Sequence, residues 1–372
     1  MAYARQAPGF GFGAARRRLL SSGAALIPGA VLIPGIGAAA AASAAPAAAA
    51  EASALNDRGS SGAGRIGKAG AGPRAEALRS PTEVRPFAPG VPTARVTTLE
   101  HWSSVAEAFG RPGNLVRGTY YHTAFPRWDL DVESQGVRIS AGLALSSHAS
   151  FAAYNDGDTL LMGDLVVPEQ ALQDFLEDLL TAGIMVTAVH KHLLAQTPEL
   201  WWVHACATGP KPVQTAQALR LALTRAGTPP PAAHRPAAPA LDLDTAGIDA
   251  ALGARGNANG EVYTTVFVRR EAVVDGGRLL PEGLGSTTAV NFQPLGRGRA
   301  AVNGDFVMTA DEVTPALTAL RRGGLQVAAL HNHGLTDEPR LFFTHFWAVD
   351  DAVRTAAALH GAISLTAVRP AA

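Results

Sequence analysis

Three histidines near the C-terminus stand at a spacing that can hold a metal ion. They lie in Ala328–Trp347, which reads AALHNHGLTDEPRLFFTHFW. The run from Gln326 to His333 is short, apolar and bounded by Gly323-Gly324 and Gly334, as expected of a strand. A strand sets residues i and i+2 on one face, so His331 and His333 point the same way. Leu341 to Trp347 reads as a second strand carrying His345. An antiparallel pairing with an even register sum brings His345 to the same face. A register centred on Pro339 sets His333 directly opposite it, at the roughly 4.5–5.5 Å separation of opposed Cβ atoms. Three imidazoles with a fourth position open is the pattern of a catalytic zinc site.

The pattern occurs twice. His190, His192 and His204 precede His331, His333 and His345 by a constant 141 residues. At that offset Gly163-Asp164 matches Gly304-Asp305, Pro198 matches Pro339 and Leu200 matches Leu341. Fourteen of the 42 positions from 163 to 204 are identical, enough to read the two stretches as copies of one unit. The residues leave two readings of the histidines open. They are metal ligands, or they are buried core imidazoles whose nitrogens find hydrogen-bond partners.

A metal that activates water commonly works beside a carboxylate. Asp305 follows glycine in the strand before a helix, with Asp164 as its mate, and Glu312 lies in that helix's first turn; Asp305 and Glu312 are the catalytic candidates. Glu312 has Ala171 at its mate's position, and a helix N-terminus favours a carboxylate for electrostatic reasons alone. Arg127 and Arg269, each after a strand, are candidates to hold a substrate carboxylate bidentately, or to form structural ion pairs. Asp337 and Glu338 read as a solvated loop. Asn291 and Gln293, alternating with apolar residues, line a pocket or face water. His122, His148 and His360 lack partners at the repeat spacing.

The elements that must position these groups follow from periodicity. In the first repeat helices are expected over 102–109, 168–181 and 214–225, with strands at 120–122, 128–132 and 160–167. In the second, helices are expected over 248–252, 311–322 and 350–363, with strands at 261–269 and 300–308. Strands and helices mix and each repeat holds a hairpin, which indicates an α+β fold of two tandem repeats, each a mixed or antiparallel sheet with packed helices. The repeats span 98–227 and 244–372, each long enough to bury its own core, with a Pro-rich linker at 228–243.

Ahead of them, Arg16 and Arg17 followed by Leu19-Leu20 fit a twin-arginine signal within residues 1–50. Residues 51–97 have the composition of a disordered linker. This predicts export to the periplasm or cell exterior, and no run after the signal reaches the length of a transmembrane segment. The single cysteine, Cys206, excludes an intrachain disulfide. Equal numbers of basic and acidic residues, 31 each, argue against a nucleic-acid partner, which calls for a concentrated basic face.

The segments AALHNH, PRLFFTHFWA and GDFVMTADEV resemble the LppY/LpqO proteins, an exported bacterial family described as a domain of unknown function. The resemblance covers about residues 98–364 and implies no activity. Some members of that family are lipoproteins, but this chain lacks the required cysteine after its signal. Two histidines one residue apart with a third twelve residues on is also similar to the zinc motif of Ptd012-type ester hydrolases and of acetolactate decarboxylase. That likeness implies zinc ligation by His331, His333 and His345 and, by repetition, by His190, His192 and His204. The combined expectation is an exported zinc-dependent enzyme that hydrolyses an ester or amide or assists a decarboxylation. Its small-molecule substrate is unknown, and the alternative is a non-enzymatic metal- or ligand-binding protein.

Overall fold

The computed structural model describes residues 90–231 and 241–371. The signal at 1–50, the linker as far as residue 89 and most of the Pro-rich segment lie outside the described residues. The first repeat forms a six-stranded antiparallel sheet from β1 (Asn114–Val116), β2 (Tyr120–Pro126), β3 (Ser146–Ala153), β4 (Thr159–Pro168), β5 (Met185–His190) and β6 (Leu200–Gly209). Their order is β1-β2-β3-β4-β6-β5. The second repeat gives β7 (Asn257–Asn259), β8 (Val262–Arg269), β9 (Thr287–Gly296), β10 (Arg299–Thr309), β11 (Gln326–His331) and β12 (Leu341–Asp351). These pair as β7-β8-β9-β10-β12-β11, and β13 (Val368–Pro370) adds to β8. The fold is α+β, with two similar sheet-and-helix halves.

Alternation along the strands decides which face does what. In the first sheet the odd-numbered residues Ala149, Phe151, Leu161, Leu165, Val203 and Ala205 are buried in one cluster with residues of α1 (Ser103–Phe109), α2 (Leu172–Thr181) and α3 (Pro212–Arg225). The even-numbered residues of the same strands, His148, Ser150, Asp164 and His204, face the other way. The second sheet is built alike. Val290, Phe292, Val302, Phe306 and Phe346 pack under α4 (Thr245–Leu252), α5 (Ala310–Arg322) and α6 (Ala352–Ile363), while Ala289, Asn291, Asn303, Asp305 and His345 turn away from them. The two helix-free faces meet. Val166, Leu200 and Trp202 of the first repeat bury with Val262, Ala301 and Trp347 of the second. The order of layers is therefore helices, sheet, sheet, helices.

Each repeat buries a core of its own under its helices, and Tyr120, Tyr154, Leu160 and Cys206 of the first also join the main cluster of the second. Two expectations change. Residues 128–132 form a turn rather than a strand, held where Arg127 N–H donates to Leu145 O and the Arg127 guanidinium pairs with Asp129 at 2.7 Å. Within the expected linker, residues 93 and 94 are ordered, bridging to Leu279 and Tyr154.

Candidate metal centre

The six histidines form one cluster, not two separate triads. The rings of His190 and His331 stack with centroids 3.7 Å apart, those of His192 and His345 lie 3.7 Å apart, and those of His204 and His333 lie 4.1 Å apart. Within each repeat the spacings match: 4.9 Å for His190–His204 and for His331–His345, 5.1 Å for His190–His192 and 5.2 Å for His331–His333. These pairings describe a local two-fold axis passing between His190 and His331.

A β-bulge makes the cluster possible. In the first repeat Val186 pairs with Ala205, but Ala188 pairs with His204, so Thr187 is the extra residue. Without it, His190 would fall on the opposite face from His204, because a one-residue slip exchanges the faces. With it, His190 stands opposite Trp202 and shares the His204 face. The second repeat carries the same shift between Val327 and Ala329. The even register sum expected for the hairpin is present, but its centre lies two residues earlier than Pro339. His345 is opposite Ala329 and His331 is opposite Phe343. His333 lies past the end of its strand, so it does not oppose His345 across the ladder. It reaches the cluster by stacking on Phe343, at 3.4 Å and 10° between planes; its mate His192 stacks on Trp202 at 4.5 Å and 12°.

The imidazoles are buried and their nitrogens are largely unpaired. His190, His192, His204 and His345 are each no more than 7% exposed. Nε2 of all four, and both ring nitrogens of His331, are buried with no hydrogen-bond partner among the described residues. The core reading requires hydrogen-bond partners for these atoms, and the carboxylates beside them, Asp164 at 3.6 Å from His192 Nε2 and Asp305 at 4.0 Å from His345 Nε2, are too far to serve. His345 shows how one lone pair is directed. Its Nδ1 lies 2.9 Å from the Gly304 carbonyl oxygen, which can only accept, so Nδ1 carries the proton and Nε2 offers a lone pair to the cluster. Burial, and then the nearby imidazoles, push His190 down to about 3 and hold His192 and His204 well below the ordinary histidine range. These rings are neutral at pH 7, the state that binds metal. The ligand atoms of His190, His192, His204 and His345 all lie within 4.8 Å of one another, as do those of His204, His331 and His333, and those of Asp305, His331 and His345. These buried groups can hold a metal ion, and the largest set draws on both repeats.

The two aspartates sit in equivalent places but differ. Each stands directly across the ladder from a histidine, Asp164 from His204 and Asp305 from His345. Burial, reinforced by the charge of Asp305, raises the Asp164 carboxyl well above its usual range. Burial acts the same way on Asp305, but His333, 3.0 Å from its carboxylate, and His345 outweigh it, and the net direction is down. The two carboxyls are thus shifted in opposite directions despite their equivalent places.

Glu312, Arg127 and Arg269 are not brought to this site. The Glu312 carboxylate pairs with Arg269 at 2.5 Å, accepts from Thr309 N–H at 2.8 Å in a capping box, and accepts from Ala367 N–H at 2.7 Å. Arg269 is further held by Glu271, and Arg127 by Asp129. Both guanidinium groups are buried in these ion pairs and neither faces the histidines. Asp337, expected in a solvated loop, is 6% exposed and accepts from Leu341 N–H, which closes the turn after the histidine loop.

Beside the cluster, between the sheets, opens a cavity of about 520 Å³ reached by His192, His204, His333, His345 and both aspartates. Sequence reasoning missed Asn303, His122 and His148 here, and left Asn291 and Gln293 between a pocket and water. Asn303 of the second repeat donates to the His192 carbonyl oxygen at 2.9 Å and so clamps the first repeat's histidine loop. Gln293 likewise joins the halves, accepting from Ser140 N–H and donating to Arg138 O, each at 2.8 Å. Asn291 lines the cavity, as do His122 and His148. No repeat-spacing signal marks that histidine pair, since its counterparts in the second repeat are of other types.

No curated protein matches this chain. Among solved structures, a trimeric bacterial microcompartment shell protein, PduB, aligns at 14% identity over 65% of this chain and 85% of that one, with a TM-score of 0.16, too low to carry an argument. The family model described as Domain of Unknown Function (DUF1259) matches residues 103–225 and again 246–365, together about two thirds of the chain. The two matches coincide with the two halves of the fold that supply three histidines each, and the chain belongs to this family.

Proposed function

We propose that the protein is a metal-dependent enzyme with one centre shared by its two repeats, acting on an ester or amide bond or in a metal-assisted decarboxylation. The observation that carries the reading is the convergence of His190, His192 and His204 with His345, four buried imidazoles whose Nε2 atoms lack other partners. Leaving so many buried polar atoms unpaired costs roughly 1–3 kcal/mol each, a cost that ligation removes. All-nitrogen donors with a nearby carboxylate suit zinc. The chemistry bound zinc supplies is acidification of water toward a pKa of about 7 and polarisation of a carbonyl. Around it, His345 is oriented by Gly304, His192 by Trp202 and Asn303, and the Asp305 carboxyl lies 3.0 Å from His333 Nε2. The adjoining cavity, continuous with the histidines, supports a small-molecule substrate. The arginine pair near the N-terminus supports export of the folded, metal-loaded chain.

The test has two stages. Elemental analysis of the purified chain is expected to find zinc, removed by chelator and absent from a His190→Ala/His345→Ala variant. Zinc-loaded protein is then assayed against esters, amides, lactones and keto acids. Turnover that is lost with the zinc supports the enzyme. Bound zinc with no turnover of any class would replace it with a non-enzymatic metal-binding role.

A further inference from the structure

The cavity wall is one-sided, and the difference lies where the two repeats diverge. On the first sheet His122 Nδ1 lies 2.9 Å from Ser150 Oγ, and His122 Nε2 lies 3.3 Å from His148 Nδ1. The register fixes this arrangement: His122 is directly opposite Ser150, and His148 is directly opposite Asp164. Ser150, His122 and His148 thus form a hydrogen-bonded chain along the face that leads to Asp164 and His204. In the second sheet the corresponding cross-strand pair is Thr264 and Asn291, hydrogen-bonded at 2.8 Å, and the residue opposite Asp305 is Ala289. All of these residues line the same cavity. The metal donors repeat across the two-fold axis, while the wall beside them does not.

The chain has a property the second sheet lacks. A hydrogen bond between two imidazoles needs one ring nitrogen to donate and the other to accept. If Ser150 donates to His122, then His122 donates to His148 Nδ1, and His148 Nε2 carries a proton. If every bond is reversed, His148 Nε2 presents a lone pair. The same wall therefore meets a ligand oxygen as donor or as acceptor, without taking on charge. The opposite wall offers a threonine–asparagine pair and the methyl group of Ala289. Among the described residues no lysine or arginine lines the cavity, whereas two carboxylates do. Apart from the metal proposed at the histidines, no described residue lining the cavity carries a fixed positive charge to pair with a ligand's negative charge.

We propose that the Ser150–His122–His148 chain is the ligand-orienting wall of this cavity, and that its ligand is a small uncharged molecule bearing carbonyl or hydroxyl oxygens. The proposal rests on and deepens the ester- or amide-hydrolysing reading of the site, since a decarboxylation substrate carries a carboxylate, and binding to this wall is measurable without turnover. The experiment is histidine-ring ¹⁵N NMR on the zinc-treated full chain, titrated with γ-butyrolactone as a neutral probe and with succinate as an anionic one of equal carbon number. Ring signals are assigned by their loss in His148→Ala and His122→Thr, which place second-repeat residue types at these positions. γ-Butyrolactone is expected to shift the His122 and His148 signals. Its affinity is expected to fall about tenfold in His148→Ala with zinc content per chain unchanged, and succinate is expected to bind at least about tenfold more weakly. Ser150→Ala, which shortens the chain by one hydroxyl, serves if His148→Ala does not fold, and is expected to weaken the lactone in the same direction. Succinate binding as tightly as the lactone, lactone affinity indifferent to the variants, or no change in the His122 and His148 signals would each overturn the proposal. Zinc content is read from the same samples. A chain without zinc contradicts the metal centre, and its lactone titration still decides the wall.

Discussion

At the residue scale the centre is defined by imidazoles held neutral. His190 and His148 are pushed down to about 3, each chiefly by burial, and His192, His204 and His345 are shifted the same way. In the unfolded chain a histidine takes up its proton near pH 6.5. Between that value and the folded one, the unfolded state binds more protons, so stability falls as pH drops below about 6.5. For a histidine whose folded value lies well below 5, the loss at pH 5 is about 2 kcal/mol. Several such groups together are expected to consume most of a domain's stability. Denaturant titrations of chelator-treated protein should therefore show a steep loss between pH 7 and 5, and zinc should move that loss to lower pH. A flat profile for the metal-free chain would mean that these rings are not buried as described. What was legible at this scale was the local pattern: two histidines one residue apart, a third twelve on, twice. His122 and His148 were not, because 26 residues separate them and only the strand register makes them neighbours.

At the element scale the decisive features are two bulges and one cap. Both hairpins were legible from their apolar runs and glycine boundaries, and the even register sum followed from requiring one histidine face. The bulges at Thr187 and Ala328 were not legible, since neither residue type marks one; they appear only when the strands pair. β3, with sequence SSHASFAA, was missed because serine and alanine give little strand signal, yet it carries His148 and Ser150. Glu312 shows how a helix-start carboxylate can be taken for chemistry. It ties α5, β8 through Arg269, and the C-terminal segment at Ala367 into one ion-paired joint. Replacing it with alanine leaves the buried Arg269 with Glu271 alone and removes the cap. Glu312→Ala is expected to lower stability by roughly 3 kcal/mol in a denaturant titration. Its zinc content should match wild type. Loss of zinc with stability preserved would return Glu312 to the site.

At the scale of the whole molecule, the duplication was legible from the 141-residue offset, and with it the α+β class. The meeting of the two helix-free sheet faces was not. The same alternation of polar and apolar residues is compatible with each face covering itself or meeting its mate. Trp202 and Trp347, both on the histidine faces, turned out to belong to the joint core. Upstream of the fold, Arg16→Lys with Arg17→Lys is expected to leave the chain in the cytoplasm with its N-terminus intact, which fractionation and N-terminal sequencing would show. Normal export of that variant would refute the twin-arginine reading.

The central claim is that one metal centre is built by both repeats, and a double-mutant cycle on zinc affinity tests it most directly. His192 comes from the first repeat and His345 from the second, and their ligand atoms belong to one set. Zinc titrations by calorimetry would be run on wild type, His192→Ala, His345→Ala and the double variant, with folding checked by circular dichroism. A shared centre predicts that each single change weakens the same binding event and that the double change costs less than the sum of the two, with a coupling above about 0.5 kcal/mol. Two independent sites, each losing its own zinc while the other binds as in wild type, or no zinc binding by the wild-type chain, would contradict it.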